Sequence, residues 1–246
     1  MNKPSTTIGN ISLLDIDIRK PLEFKFNDHM KNLTILVGAN GTGKSLMMKI
    51  VWALVYTANI YIVNGRKQLE EVAQTIMDLT LRDHEMTGTL RAHFEGNPVL
   101  ALGWDEGKCI SGRCDYTENI TEFQSPVYMG SSLRTFQAID YYLGMRKEVE
   151  AYSKEEFIEK LCKSYCLPEV ITMERMVTNM PKKLSKELLE KLETFSITKD
   201  FLWPKGADII GLDAGGFFIT NGKDKNYLSR FGSGAQAIIN MMINTG

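Results

Sequence analysis

The chain has 246 residues, of which 43% are hydrophobic and 24% charged, and its formal net charge is -1. This length and composition are typical of a globular protein that buries a full core. The net charge excludes a global basic field for nucleic acid, so any DNA contact must come from a local patch. No apolar run approaches the ~20 residues that cross a bilayer, and the N-terminus leads into no signal-peptide core. We therefore expect a soluble, cytoplasmic protein.

The first predicted elements are two half-buried strands. Apolar and polar residues alternate from Ile8 to Ile18 and again from Leu22 to Phe26. A period of two is typical of strands that bury one face. Lys20-Pro21 lies between the two runs and predicts a hairpin.

The next segment combines an apolar run with a glycine-rich motif. Leu33–Val37 is short and rich in β-branched residues, which predicts a buried strand. Gly38 to Ser45 fits G-x-x-x-x-G-K-[ST], the phosphate-binding loop. A helix is predicted from Lys44 to about Ile62, and the order strand, loop, helix is the context that supports the motif.

The chemistry of phosphate binding explains the spacing of this motif. Backbone N–H groups that point inward form a concave anion site, and the following helix adds the positive end of its dipole. Lys44 would contact the β- and γ-phosphates, and the Ser45 hydroxyl would hold Mg²⁺. The sequence therefore predicts a nucleotide site made of Gly38, Ala39, Asn40, Gly41, Thr42, Gly43, Lys44 and Ser45.

The middle of the chain predicts a helix followed by short strands. Residues 67–81 carry apolar side chains at helical spacing. The runs Thr87–Phe94, Val99–Trp104 and Lys108–Ile110 are separated by turn residues, which predicts an antiparallel β-meander. We assign this meander subdomain to residues 87–118.

A helical region is predicted next, after a short buried strand at Ser125–Gly130. Residues 135–200 are helical in period and mixed in charge, and Ser153 with Glu156 forms a helix start of the capping-box type. Lys182–Leu192 is strongly amphipathic, and its alternating charges favour a solvated face over a DNA-binding stripe. We interpret the region as a compact helical insertion.

The C-terminal part returns to strands. Asp208–Leu212 and Gly216–Thr220 are strand-like, and Asn221-Gly222 predicts a hairpin turn. Tyr227–Gly234 leads into a last predicted helix, Ala235 to about Asn244.

The four cysteines form two spaced pairs. Four residues lie between Cys109 and Cys114, and Cys162 and Cys166 would share a helix face. Neither pair has the two-residue spacing of a zinc knuckle. Reduced structural thiols are favoured, with a zinc site as the alternative.

Three segments carry a resemblance to a known group of ATPases. Leu33–Ser45 resembles the Walker A region of ABC-type ATPase heads of the SMC and RecF kind. Ser125–Arg134 resembles the strand-plus-arginine segment of AAA-domain ATPases related to the overcoming-lysogenization-defect (OLD) group, and Leu228–Gln236 is similar to their signature segment. The resemblance implies an α/β fold over residues 1–246. It consists of a P-loop NTPase core with an antiparallel β subdomain and a helical insertion, like an ABC ATPase head.

The resemblance also implies an activity, an ATPase that uses ATP and Mg²⁺. In such heads the signature segment completes the γ-phosphate pocket of a partner subunit, here with Ser233, Gly234 and Gln236, so that ATP joins two copies into a homodimer. The expected role is DNA repair or anti-phage defence, with DNA and a nuclease or other effector as partners and no membrane. One alternative is a nucleotide-gated binding module that recruits such a partner without hydrolysing ATP. A weaker one is the nucleotide-binding domain of a transporter.

The sequence departs from this pattern in its acidic residues. Such heads place a Walker B strand ending in Asp-Glu after the signature helix, and the sequence reaches Gly246 before one appears. We therefore expect ATP·Mg²⁺ binding with weak hydrolysis. Ile209–Asp213 imitates a Walker B strand but precedes the signature, so Asp213 is interpreted as a hairpin residue, with a metal role as the alternative.

Overall fold

The protein is a mixed α/β structure that divides into two compact units, Met1–Tyr128 and Met129–Gly246. It is seen here in a computed structural model. The described residues are 8–19, 24–30, 34–63, 68–82, 84–94, 99–115, 126, 128, 139, 141, 154–179, 209–213, 216–220, 224–232 and 236.

The first unit is built on a five-stranded sheet with the order β2-β1-β3-β4-β5, in which every neighbouring pair is antiparallel. Its strands are β1 (Ile8–Arg19), β2 (Phe24–Met30), β3 (Glu85–Phe94), β4 (Val99–Asp105) and β5 (Lys108–Asp115). The predicted hairpin and the predicted meander are both confirmed. They also pair with each other through β1 and β3, a contact that joins distant parts of the chain.

One face of this sheet forms the core of the first unit. Alternate residues of the three central strands are fully or almost fully buried, because side chains with a period of two point to the same face. The largest are Leu13, Ile16, Ile18, Met86, Leu90, Leu100 and Leu102.

A β-bulge interrupts β1 at the point where it meets β3. Around Asp15 the pairing register of β1 shifts with respect to both β2 and β3, and Asp15 has a φ of 50°. Gly88 lies opposite with a φ of 128°, and a Cβ on it would lie 2.5 Å from the Asp15 carbonyl oxygen. The bulge therefore requires glycine at position 88.

The first unit also contains two helices, α1 (Lys44–Val63) and α2 (Leu69–Leu81), which pack on each other. Both helix predictions are confirmed, although α2 begins two residues later than the predicted 67. Gln74 ties α2 to the β4–β5 turn. Its amide donates to the Gly107 carbonyl at 2.9 Å and accepts the Cys109 N–H at 2.7 Å.

Helix α1 is more apolar than the sequence analysis anticipated. It has 20 residues and is the one helix among the described residues with the length and composition of a membrane span. Its buried side chains include Ile50, Trp52–Val55 and Ala58, and the Trp52 indole N–H donates to the Pro126 carbonyl at 3.1 Å. The core helix of a soluble protein can have the same length and composition.

The second unit contains a helix pair, α3 (Lys154–Cys162) and α4 (Leu167–Asn179), within the predicted helical insertion. Helix α4 has a side-chain cap, because the Glu169 carboxylate accepts the Cys166 N–H at 3.1 Å. Ser153 and Lys182–Leu192 lie outside the described residues.

The second unit also contains a three-stranded antiparallel sheet, β6 (Ile209–Asp213), β7 (Gly216–Thr220) and β8 (Lys225–Tyr227). The two predicted strands are confirmed, and β7 pairs with β8 around the predicted turn, whose own residues are not among those described. Most of the predicted last helix and of the strand at Ser125–Gly130 also falls outside them.

The strand predicted directly before the glycine-rich motif is wrong for the residues described. Thr34–Val37 is irregular, and Ile35 and Val37 are 77% and 90% exposed. A strand forms where its N–H and C=O groups meet those of a neighbouring strand. All pairs among the described strands are antiparallel, and none includes this segment.

Candidate phosphate-binding loop

The glycine-rich motif forms an irregular turn that leads directly into α1. Residues 38–42 are exposed, and the helix begins at Lys44. The Met47 N–H donates to the Gly43 carbonyl at 2.9 Å, which closes the first helical turn against the end of the loop. The motif therefore lies at the N-terminus of a 20-residue helix, where backbone N–H groups lack helical partners.

Each glycine of the motif has a steric reason to be glycine. Gly41 and Gly43 both have a φ of 80°, in the left-handed region that side chains disfavour. A Cβ on Gly38 would lie 2.8 Å from the Thr42 hydroxyl oxygen. Larger residues at these three positions would strain or open the turn.

Lys44 folds back over the loop. Its ammonium donates to the Gly38 carbonyl at 2.7 Å, to the Ala39 carbonyl at 2.5 Å and to the Thr42 hydroxyl at 3.3 Å. The Thr42 hydroxyl in turn donates to the Ala39 carbonyl at 2.9 Å. The cation is thereby held at the loop by oxygen atoms that carry no formal charge.

The electrostatics of this site favour an anion. Helix α1 has no acidic residue in its first turn, so nothing there opposes the positive end of the helix dipole. Lys44 is the single charged residue of the eight-residue motif, and Ser45 is exposed beside it. Positive-φ glycines, an exposed helix N-terminus and an ammonium are groups that can contact an anion such as phosphate.

The predicted signature segment is described only in part. Ser233 and Gly234 are outside the described residues. Gln236 is fully buried, and its side-chain amide donates to the carbonyls of Leu228 and Phe231 at 2.9 and 2.8 Å. These bonds hold the turn before the helix, so Gln236 has a structural role here, and its predicted contact with nucleotide stays a prediction.

Asp213 ends β6 in a hairpin, as predicted, opposite Gly216 on β7. Its carboxylate accepts hydrogen bonds from the Lys225 ammonium at 2.6 Å and from the Tyr227 hydroxyl at 3.3 Å. The hydrogen bond to Asp213 raises the pKa of Lys225. These contacts give the carboxylate a structural role in the hairpin.

All four cysteines lie among the described residues, and none of them forms a disulfide. Cys162 and Cys166 are buried, whereas Cys109 and Cys114 are partly exposed. Burial, with a smaller contribution from the charge of Glu70, raises the pKa of Cys109 to about 11. In the described part of the chain, no three His, Cys, Asp or Glu side chains cluster as metal ligands would.

Sequence reasoning did not anticipate the role of Thr42 in holding Lys44. The one signal was a hydroxyl residue directly before Gly43-Lys44, a position where the motif accepts any residue. Comparison of the chain with protein-family models, with curated proteins and with solved structures gives no match.

Proposed function

We propose that the chain binds ATP with Mg²⁺ through residues 38–45 and acts as a P-loop ATPase of the ABC/AAA type, like the SMC, RecF and OLD group. One observation carries the proposal. The Lys44 ammonium lies over a turn that contains two positive-φ glycines, at the N-terminus of a 20-residue helix. This is the arrangement in which backbone amides, a helix dipole and a cation act together on one phosphate chain.

The residues of the loop have distinct roles in this proposal. The N–H groups of the turn cradle the phosphates, and the Lys44 ammonium donates to a phosphate oxygen in place of an acceptor within the loop, so that its hydrogen bond joins opposite charges. The Ser45 hydroxyl is the metal ligand. Bound Mg²⁺ would supply neutralisation of the phosphate charge.

The finer fold and the partners belong to the same proposal. An ABC-type head is supported by the order of the elements, with an antiparallel hairpin before the loop and an antiparallel meander after it. ATP would join two copies, with Ser233 and Gly234 of one copy facing the loop of the other. We propose a cytoplasmic protein that couples this dimerisation to DNA repair or anti-phage defence.

A pair of lysine variants tests nucleotide binding. Lys44→Ala removes the cation of the site, and Lys108→Ala removes an exposed lysine on β5 as the matched control. Binding of a fluorescent ATP analogue with Mg²⁺ should weaken at least about tenfold in Lys44→Ala, because a hydrogen-bonded charge pair is lost. The control should bind like the wild type. Equal affinity for wild type and Lys44→Ala, or no binding at all, would contradict the proposal.

A second candidate function is a nucleotide-gated binding module. It is favoured by the surroundings of the loop. Among the described residues, the hydrogen bonds of Thr42 and Lys44 side chains stay within the loop, and no carboxylate contacts them. ATP-dependent dimers without phosphate release would support the module. Fast turnover by metal-loaded protein at low concentration would refute both this module and our expectation of weak hydrolysis.

A further inference from the structure

The contacts of the loop point to a device that limits its affinity for phosphate. We propose that the Thr42 hydroxyl is a positioning residue that holds the Lys44 ammonium in a self-satisfied state, which a phosphate ligand must break. This inference rests on the proposed function, because it concerns the same loop. It adds that one side chain lowers the affinity of the site.

The Lys44 ammonium has as many acceptors around it as it has N–H donors. An ammonium has three N–H groups and no acceptor. In the structure three oxygen atoms surround the Lys44 ammonium, on Gly38, Ala39 and Thr42, at 2.7, 2.5 and 3.3 Å. Every donor of Lys44 therefore already has an acceptor within the loop, and a phosphate oxygen gains a hydrogen bond from Lys44 only by displacing one of them.

Of the three contacts of the Lys44 ammonium, the one with Thr42 should open first. The bond to Thr42 is the longest of the three, so it is the weakest. The Thr42 hydroxyl gives its own proton to Ala39, which leaves its lone pairs for Lys44. Gly38 leaves room for this arrangement, because a Cβ there would meet the Thr42 hydroxyl oxygen at 2.8 Å.

The consequence is an inhibitory contact within the loop. Without the hydroxyl, Lys44 keeps its two carbonyl acceptors and has one donor free for an incoming phosphate. Removal of Thr42 Oγ1 should therefore raise the affinity for phosphate, whereas removal of a residue that merely shapes the loop should lower it. The expected gain is that of one modest hydrogen bond, about threefold to tenfold in the dissociation constant.

The test uses inorganic triphosphate with Mg²⁺, so that no base or sugar contact enters, and titration calorimetry on the full chain. Thr42→Val replaces the hydroxyl with a methyl group of the same shape, and Thr42→Ala is a second variant without it. Both should bind about threefold to tenfold more tightly than the wild type. Thr42→Ser keeps the hydroxyl and should bind like the wild type.

A double-variant cycle separates positioning from a general effect on the loop. If Thr42 acts through Lys44, Thr42→Val should change the affinity of the wild type but leave that of Lys44→Ala unchanged. Unchanged or weaker binding by Thr42→Val in the wild-type background, or the same gain in both backgrounds, would overturn the inference. If the wild type binds neither triphosphate nor ATP, the proposed function itself fails. If the wild type binds and Thr42→Val gains nothing, only the role of Thr42 fails.

Discussion

Two segments that both carry large aliphatic side chains differ in their environment. In β1, Leu13, Ile16 and Ile18 are at most 1% exposed, and β2 and β3 pair with the two edges of the strand. In the segment before the phosphate loop, Ile35 and Val37 are 77% and 90% exposed. β-Branched side chains fit a pleated surface only where neighbouring strands and a packed face are present. The comparison shows that pairing partners decide whether such a run becomes a strand.

The largest expected effect comes from truncation of the packed face of the sheet. Leu90→Ala, in the centre of β3, should lower the free energy of unfolding by about 2–5 kcal/mol, because it leaves a cavity among fully buried neighbours. Val37→Ala is the matched control from the exposed segment and should change it by less than about 0.5 kcal/mol. Denaturant unfolding measures both values. A similar cost for the two variants would mean that Val37 is packed and that the contrast between the segments is false.

A cysteine at the edge of the same sheet sharpens the comparison. The pKa of Cys109 is raised to about 11 from an ordinary 9.0, which lowers the thiolate fraction at pH 8 about a hundredfold. Iodoacetamide should therefore label Cys109 far more slowly in native protein than in urea-unfolded protein, as measured by mass spectrometry of the labelled peptide. Glu70→Gln should speed the native reaction, because the negative charge of Glu70 contributes to the raised pKa. Equal rates in native and unfolded protein would show that this edge of the sheet is open.

Glycines in the two regions should respond differently to substitution. Gly88→Ala combines a positive φ with a Cβ 2.5 Å from the Asp15 carbonyl oxygen, so it should cost about 1–3 kcal/mol of stability. Gly41→Ala has the positive φ but no atom within 4 Å of its Cβ, so its cost should be about 1 kcal/mol or less. Thermal unfolding ranks the two variants. The opposite ranking would place the tighter packing at the loop.

Local patterns predicted much of this fold, because their causes are local. The alternation in β1 and the helical spacing in α1 and α2 appear in the structure as expected, as does the β3–β4–β5 meander. The pairing of β1 with β3 was not predicted, since it joins distant residues such as Leu13 and Leu90 and no single window of sequence contains it. The strand prediction for Thr34–Val37 was wrong for the same reason, because the composition of a segment does not show whether another strand lies beside it to pair with.

The candidate site also has features that the sequence predicts and features that it does not. The motif predicted a glycine-rich loop that leads into a helix at Lys44, because these features follow from spacing along one short segment. The folding of Lys44 onto the Gly38 and Ala39 carbonyls could not be predicted, because a flexible side chain chooses among acceptors only once the turn is formed.

The most direct test of phosphate binding observes the backbone amides of the loop. Addition of Mg²⁺ and ATP to ¹⁵N-labelled protein should shift the amide resonances of residues 41–45, because these N–H groups would donate to phosphate oxygens. The same addition to Lys44→Ala should shift them only at much higher ATP concentration. Unchanged loop amides in the wild type at saturating Mg²⁺ and ATP, or shifts confined to other parts of the chain, would contradict the assignment of residues 38–45 as the nucleotide site.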